Sequence, residues 1–210
     1  MVFRTSIIVV VAVLFCCSVQ AQSLLLDKGE RGAFLQGGYV GSENTNGGEF
    51  DLGYAFSDRF DWGLSIGFAS VDFNYYFGSF SRTRTLIGQF ADCYPVRFGL
   101  KPFTGALGLH EAAAFDTEGD GDVQASLGGS WNMLIQSSAR SGIAITCGVL
   151  GTTASHVDEI TFTGLIGLTP FVTTVSGSRI GIAFEYSSGG GSNTYAVGLT
   201  LGFAGSRSEP

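Results

Sequence analysis

The chain has 210 residues; 32 are Gly, 14% are charged, 45% are hydrophobic, the formal net charge is −7, and only Lys28 and Lys101 are lysines. A soluble surface wants about 25–35% charged residues of both signs and average Gly usage is about 7%, so an ordinary soluble enzyme is disfavoured and part of the surface is expected to meet something other than water. Collagen and disorder are excluded, because the glycines follow no triplet period and 18 Phe, 7 Tyr and 2 Trp are present.

Residues 1–21 carry one cation, Arg4, then the apolar run from Ile7 to Phe15, and end Val19-Gln20-Ala21. These are the three parts of a secretory signal peptide cleaved after Ala21. A spanning helix needs about 20 apolar residues, more than this run supplies. A lipoprotein signal at Cys16 or Cys17 is disfavoured by Phe15, where such signals carry a small residue. Cleavage leaves a single domain, 22–210, of 189 residues with 10 basic and 18 acidic side chains, a formal charge of −8. Export permits a disulfide between the two remaining cysteines, Cys93 and Cys147. Their spacing matches no metal motif, and two lone thiols on strands are expected.

From residue 50 onward the period is two. Phe50, Leu52, Tyr54 and Phe56 share one face while Asp51, Gly53, Ala55 and Ser57 share the other; after Asp58-Arg59 the alternation resumes with Phe60, Trp62, Leu64, Ile66 and Phe68. This is a β-hairpin. The C-terminal end repeats it, with Ile180, Ile182, Phe184 and Tyr186, then the glycine-rich 187–193, then Tyr195, Val197, Leu199, Leu201 and Phe203. Weaker alternation marks strands near 33–42, 82–94, 100–110, 121–133, 141–152 and 158–169. The count is about ten, with eight the alternative, and no stretch beyond the signal shows a helical period.

Two architectures share this pattern. In a soluble sandwich or lipocalin-like barrel the large apolar face turns inward; in a membrane barrel it meets lipid, over strands of about 9–11 residues. Charge placement separates them. Nearly all charges fall at strand ends or connections, and mid-strand exceptions such as Asp51 and Glu185 lie opposite the apolar set. Avoiding a lipid-facing charge, which costs a few kcal/mol at mid-depth, explains this. The expected fold is therefore an all-β, antiparallel, up-and-down transmembrane β-barrel of about ten strands. Inward positions are mostly small (Gly63, Ser65, Gly67, Ala69, Ala144, Thr146, Gly148, Gly198, Thr200) with a few polar ones (Asp51, Gln124, Glu185). Aromatic residues near strand ends, among them Tyr39, Phe56, Phe60, Tyr186, Tyr195 and Phe203, fit the girdles of such barrels.

With a periplasmic N-terminus, one set of connections (43–49, 71–81, 111–121, 153–158, 187–193) faces outward. With its borders it holds ten acids, Glu43, Glu49, Asp72, Glu111, Asp116, Glu118, Asp120, Asp122, Asp158 and Glu159, against Arg82 and Arg84. An acidic outer rim is expected.

The chain resembles the small outer-membrane β-barrel proteins of Gram-negative bacteria. Lys101-Pro-Phe-Thr-Gly-Ala-Leu-Gly108 looks like a strand common in such barrels, and Tyr195 to Phe203 looks like their closing strand; the tail 204–210 after Phe203 departs from that pattern. The resemblance implies outer-membrane location, contact with outer-membrane lipids and lipopolysaccharide, and recognition of the terminal aromatic by the barrel assembly machinery. A monomer is expected.

Chemistry is sparse. His110 beside Glu111, and His156 near Asp158 and Glu159, could polarise a water for hydrolysis, yet histidines beside acids are ordinary in an acid-rich rim, and no catalytic residue is assigned. Asp116, Glu118, Asp120 and Asp122 alternate with Thr117, Gly119 and Gly121 as in the opening of a calcium loop, but Leu127 stands where a bidentate Glu is required, which excludes an EF-hand. These four carboxylates remain the candidate ligands for a divalent cation. The loop Gly189-Gly-Gly-Ser-Asn193 lacks the Lys and helix of a phosphate cradle. The negative charge disfavours nucleic acid, and no cofactor is expected. The leading function is a structural or surface-interaction barrel acting through its acidic outer connections. A narrow pore, a barrel-embedded hydrolase and a soluble ligand-binding barrel are the alternatives.

Overall fold

A computed structural model describes residues 30–43, 45–75, 78–100, 102–117, 122–155, 157–189 and 192–205. The expected signal peptide 1–21, Lys101, His156, Glu118, Asp120 and the tail from Ser206 lie outside the described residues. Ten antiparallel strands form one closed barrel: β1 Gly32–Ser42, β2 Thr45–Ser57, β3 Phe60–Tyr75, β4 Gly78–Leu100, β5 Phe103–Asp116, β6 Val123–Ser138, β7 Ser141–Ala154, β8 Val157–Thr173, β9 Arg179–Gly189 and β10 Ser192–Ala204. Each pairs with its sequence neighbours, and β1 closes on β10 from Gly32↔Ala204 to Ser42↔Thr194. Closure removes every sheet edge, which a strand in lipid requires because no water is there to satisfy exposed N–H and C=O groups.

The register is strongly sheared. From Gly32 the paired row runs through Ala55, Asp61, Asp92, His110, Gly128, Leu150, Thr163 and Gly189 to Ser192. It leaves one end of the barrel at the start of β1 and arrives at the opposite end on β10. Residues midway along it, on β4 and β5, therefore sit at mid-height. Tilt and shear are linked in any closed sheet.

The two faces separate as the period of two requires. Outward, Phe50, Leu52, Leu64, Ile66, Ile182, Phe184, Val197 and Leu199 are each 40–51% exposed, and the same holds round the circumference. Such a belt exceeds the few hundred Å² of apolar patch that a soluble monomer carries, and it fits hydrocarbon. Aromatic rings cluster towards both ends: beside the 58–59 turn Tyr54 meets Phe56 edge to face with ring centroids 5.1 Å apart and Phe56 lies tilted against Phe60 at 5.9 Å, and the ring centroids of Tyr39 and Tyr195 lie 6.4 Å apart near the other end.

Inward, Ser65, Ala69, Thr146, Asp51, Gln124 and Glu185 are buried, as the alternation predicts. The small inner residues are only half of the filling, because Phe34, Leu86, Phe90 and Tyr94 also point inward and are at most 5% exposed. The inner glycines make room for them. Gly53 and Gly63 face each other across β2 and β3, and a Cβ on either would overlap the ring of Phe34 or Phe90 respectively. Gly53→Ala is expected to cost about 1–3 kcal/mol by overpacking, read as a lower urea midpoint for loss of the compact band that shifts on boiling.

The strands reach further than the alternation indicated. Residues 71–81, expected as a connection, continue the β3–β4 ladder from Val71↔Arg82 to Tyr75↔Gly78. β4 pairs with β5 only from Leu86 onward and β2 pairs with β3 only as far as Val71, so the paired residues 72–75 and 78–81 extend beyond both neighbouring strands. This hairpin is tied at its base by an Arg84–Asp116 ion pair of 2.9 Å and by the Thr117 amide donating to the Thr85 carbonyl at 3.0 Å. Connections at that end are correspondingly short.

Three acids assigned to the rim lie elsewhere. Glu49 and Asp116 continue the inward face of their strands and are 6% and 1% exposed, while Glu111 is exposed on the outer face of β5. The side chains of residues 71–75 and Asp158 are outside the description, and Glu43, Asp122 and Glu159 stay at the rim.

Candidate functional site

His110 supplies the most organised chemistry in the lumen. Expected beside Glu111 near the outer rim, it instead lies mid-strand in β5, where consecutive side chains point to opposite faces; Glu111 therefore turns away from it. Its partners come from adjacent strands. Asp92 is directly opposite on β4, Ser130 is the diagonal inner neighbour on β6, Asn132 follows two residues later, and Thr146 on β7 faces Asn132.

These five side chains form one hydrogen-bonded chain. Thr146 donates to Asn132 Oδ1 at 2.8 Å, and Asn132 Nδ2 donates to Ser130 Oγ at 2.6 Å. Ser130 Oγ, 2.5 Å from His110 Nε2, donates its own proton there, and His110 Nδ1 donates to Asp92 Oδ1 at 2.6 Å. The direction follows from the donor inventory: a carboxylate can only accept, so Nδ1 carries the hydrogen that faces Asp92, and in a neutral imidazole so tautomerised Nε2 is the acceptor for the Ser130 hydroxyl. Tyr94 stands edge-on to the imidazole at 6.1 Å. Gly108 is the gap that admits the cluster, since a Cβ there would come within 2.7 Å of Ser130 Oγ and 3.1 Å of His110 Nε2.

The order carboxylate, imidazole, hydroxyl is that of an activated nucleophile. The surroundings lack what an acyl-transfer site needs. His110 and Ser130 are 4% and 8% exposed, and the backbone N–H groups of four consecutive strands are engaged in the sheet ladder rather than aimed at a forming oxyanion. The hydrogen-bonded chain links four adjacent strands, β4 to β7, along one wall of the lumen.

The opposite wall carries a second cluster. Gln36, Glu49, Asp51 and Glu185 surround a cavity of about 20 Å³, enough for one water, and Ser65 donates to Glu49 Oε1 at 2.8 Å. Among the described residues no group of three or more His, Cys, Asp or Glu is arranged to hold a metal ion. Of the four candidate cation ligands, Asp116 is buried and ion-paired with Arg84, Asp122 lies where the connection rejoins β6, and Glu118 and Asp120 are outside the described residues. Cys93 and Cys147 are free, half-buried thiols on different strands.

Asp92 and Ser130 were not singled out in the sequence. The only signal for them is parity: once His110 is placed inward, the inner positions of the flanking strands are its available partners.

No protein-family model matches the chain, and no curated protein matches it. Solved structures do. The β-domain of the Bordetella autotransporter BrkA aligns over 86% of this chain and 100% of its own, at 10% identity and a TM-score of 0.54. The translocator domain of the autotransporter NalP from Neisseria meningitidis covers 92% of both chains at 12% identity and 0.46, and LpxR from Salmonella typhimurium covers 82% of this chain and 99% of its own at 5% identity and 0.47. At these identities the likeness is one of fold. A closed ten-stranded barrel with an apolar outer belt and a polar, packed interior defines the class: this chain is a transmembrane β-barrel of the outer-membrane type. Its location is the outer membrane.

Proposed function

We propose that the chain is a sealed, non-enzymatic outer-membrane barrel with a structural or surface-interaction role, presenting the β3–β4 hairpin and the acidic connections at the end opposite its termini. The observation that carries this reading is the exposure of the inner face. Phe34, Asp92, His110, Thr152, Thr163, Glu185 and Thr194, spread over the height of the barrel, are each at most 9% exposed. A water-filled lumen would wet these side chains. Eight- to ten-stranded barrels are only wide enough for side chains or one small ligand, and here the side chains occupy that width.

Purified chain in planar lipid bilayers is expected to give no conductance above the bare membrane, with correct folding checked by the mobility shift on boiling. Discrete ion-conducting steps would favour the narrow-pore reading. The hydrolase reading rests on the Asp92–His110–Ser130 chain, and it is tested separately: a fluorophosphonate probe is expected to leave Ser130 unlabelled in the folded protein. Labelling that disappears in Ser130→Ala would replace the non-enzymatic reading.

A further inference from the structure

We propose that the outer face of β4 and β5 docks a second copy of this chain within the membrane, through reciprocal pairing of Glu111 with Gln89. The proposal requires the chain to span a membrane; it is independent of whether the lumen is sealed.

Glu111 is exposed on the same face as Leu107, Leu109 and Phe115, and Gln89 is exposed on the same face as Ile87. Glu111 adjoins His110 and pairs with Ala91, beside Asp92; His110 and Asp92 lie midway along the sheared row, so Glu111 stands at mid-height on the surface that meets hydrocarbon. Among the described residues neither Glu111 nor Gln89 has a hydrogen-bond or ionic partner. Ionisable groups at that depth are costly, and where they occur they find partners. Lipid chains offer none, and the outward residues of the flanking strands, Leu64, Ile66, Leu127 and Trp131, are apolar.

Gln89 lies opposite Ala113, and Glu111 lies opposite Ala91. The two long polar side chains thus occupy one diagonal of a square and two alanines the other. Because the register climbs from β4 to β5, strand tilt brings Gln89 and Glu111 to similar heights. A two-fold axis along the membrane normal between β4 and β5 then sets Gln89 of each copy against Glu111 of the other. An isologous interface demands this reciprocity, and the chemistry is complementary because an amide donates where a carboxylate accepts. The alanines let the two walls approach closely, as small residues do at membrane-embedded interfaces. Cys93, next on the outer face of β4, falls near the axis, whereas Cys147 on β7 lies away from it.

The test uses the processed chain, residues 22–210, whose cysteines are Cys93 and Cys147, reconstituted in phosphatidylethanolamine and phosphatidylglycerol vesicles at a low protein-to-lipid ratio, with a short bis-maleimide as cross-linker. The Cys147→Ser protein is expected to give a covalent dimer through Cys93, and the Cys93→Ser protein at least tenfold less. Gln89→Leu/Glu111→Leu should lose the Cys93 dimer at least tenfold, and Glu111→Gln should keep it. Ala113→Phe, which changes only the lipid-facing surface, should block the dimer as well, and covers the case in which the double variant does not fold. Monomer at every protein-to-lipid ratio, a dimer that survives both the Leu pair and Ala113→Phe, or equal cross-linking through Cys147 would overturn the proposal. Cross-linking of Cys93 in native membranes to a different polypeptide only would overturn it in favour of another partner.

Discussion

Asp92→Ala is expected to destabilise the barrel by about 2–4 kcal/mol, although Asp92 touches neither lipid nor the outside. Its carboxylate accepts from His110 Nδ1 at 2.6 Å in a site where both side chains are at most 5% exposed. Removing it leaves a buried imidazole N–H without an acceptor, worth about 1–3 kcal/mol, and adds the loss of packing at a buried position. The effect should be non-additive. In Asp92→Ala/His110→Ala the orphaned donor disappears with its partner, so the double variant should cost clearly less than the sum of the singles, by about 0.5–3 kcal/mol. Ser130→Ala should be coupled to His110→Ala in the same direction, since Ser130 passes its proton to Nε2 and accepts from Asn132. The measurement is urea unfolding in lipid vesicles, followed by the fraction of protein that keeps its unboiled mobility. Strictly additive costs would mean that the five side chains are independent lumen filling rather than one network.

The architecture was legible because it rests on the one-dimensional signal that a barrel cannot avoid. Each strand must put apolar atoms against lipid and turn its other face inward, so Phe50 to Phe68 and Ile180 to Phe203 alternate over their whole length and locate four strands directly. The interior was legible only in part. Ser65, Thr146 and Glu185 follow from parity, but Phe34 and Phe90 do not, because large inner rings depend on glycines placed opposite them on the neighbouring strand by the register: Gly53 faces Phe34 across the β1–β2 pairing, and Gly63 faces Phe90 across β3–β4. The hydrogen-bonded chain was illegible for the same reason. Its members are separated by 14 to 20 residues, or by two within β6, and only the register of four strands brings them together. Charges near strand ends misled most. Glu49, Glu111 and Asp116 read as rim residues by their acidic neighbours, yet strands that run on past the expected boundary carry two of them inward and one outward at mid-height. The outward one breaks the alternation rule that identified the barrel, which is why it points to a contact.

Phe90→Ala is the second large effect, expected to cost about 3–5 kcal/mol while leaving bilayers electrically silent. Phe90 is 3% exposed, lies over Gly63 and meets Phe34 with ring centroids 6.0 Å apart. Truncation removes that contact and exposes the Gly63 wall to an unfilled space that the surrounding strands, fixed by closure, cannot collapse to fill. Gly63→Ala should act in the same direction more weakly, about 1–3 kcal/mol, because the ring must move aside for the added Cβ. Conductance should nevertheless stay absent in Phe90→Ala. In the sealed-barrel reading proposed above, the seal is distributed along the height of the lumen: Tyr94 and the Asp92–His110–Ser130 chain fill the level beside Phe90, and Ser126 with Thr152, hydrogen-bonded at 2.9 Å, fill another. Opening one level leaves ions facing the next. A variant that loses stability and remains silent fits a lumen packed throughout, whereas current steps appearing on removal of this one ring would locate the whole barrier at Phe90 and make the protein a gated pore.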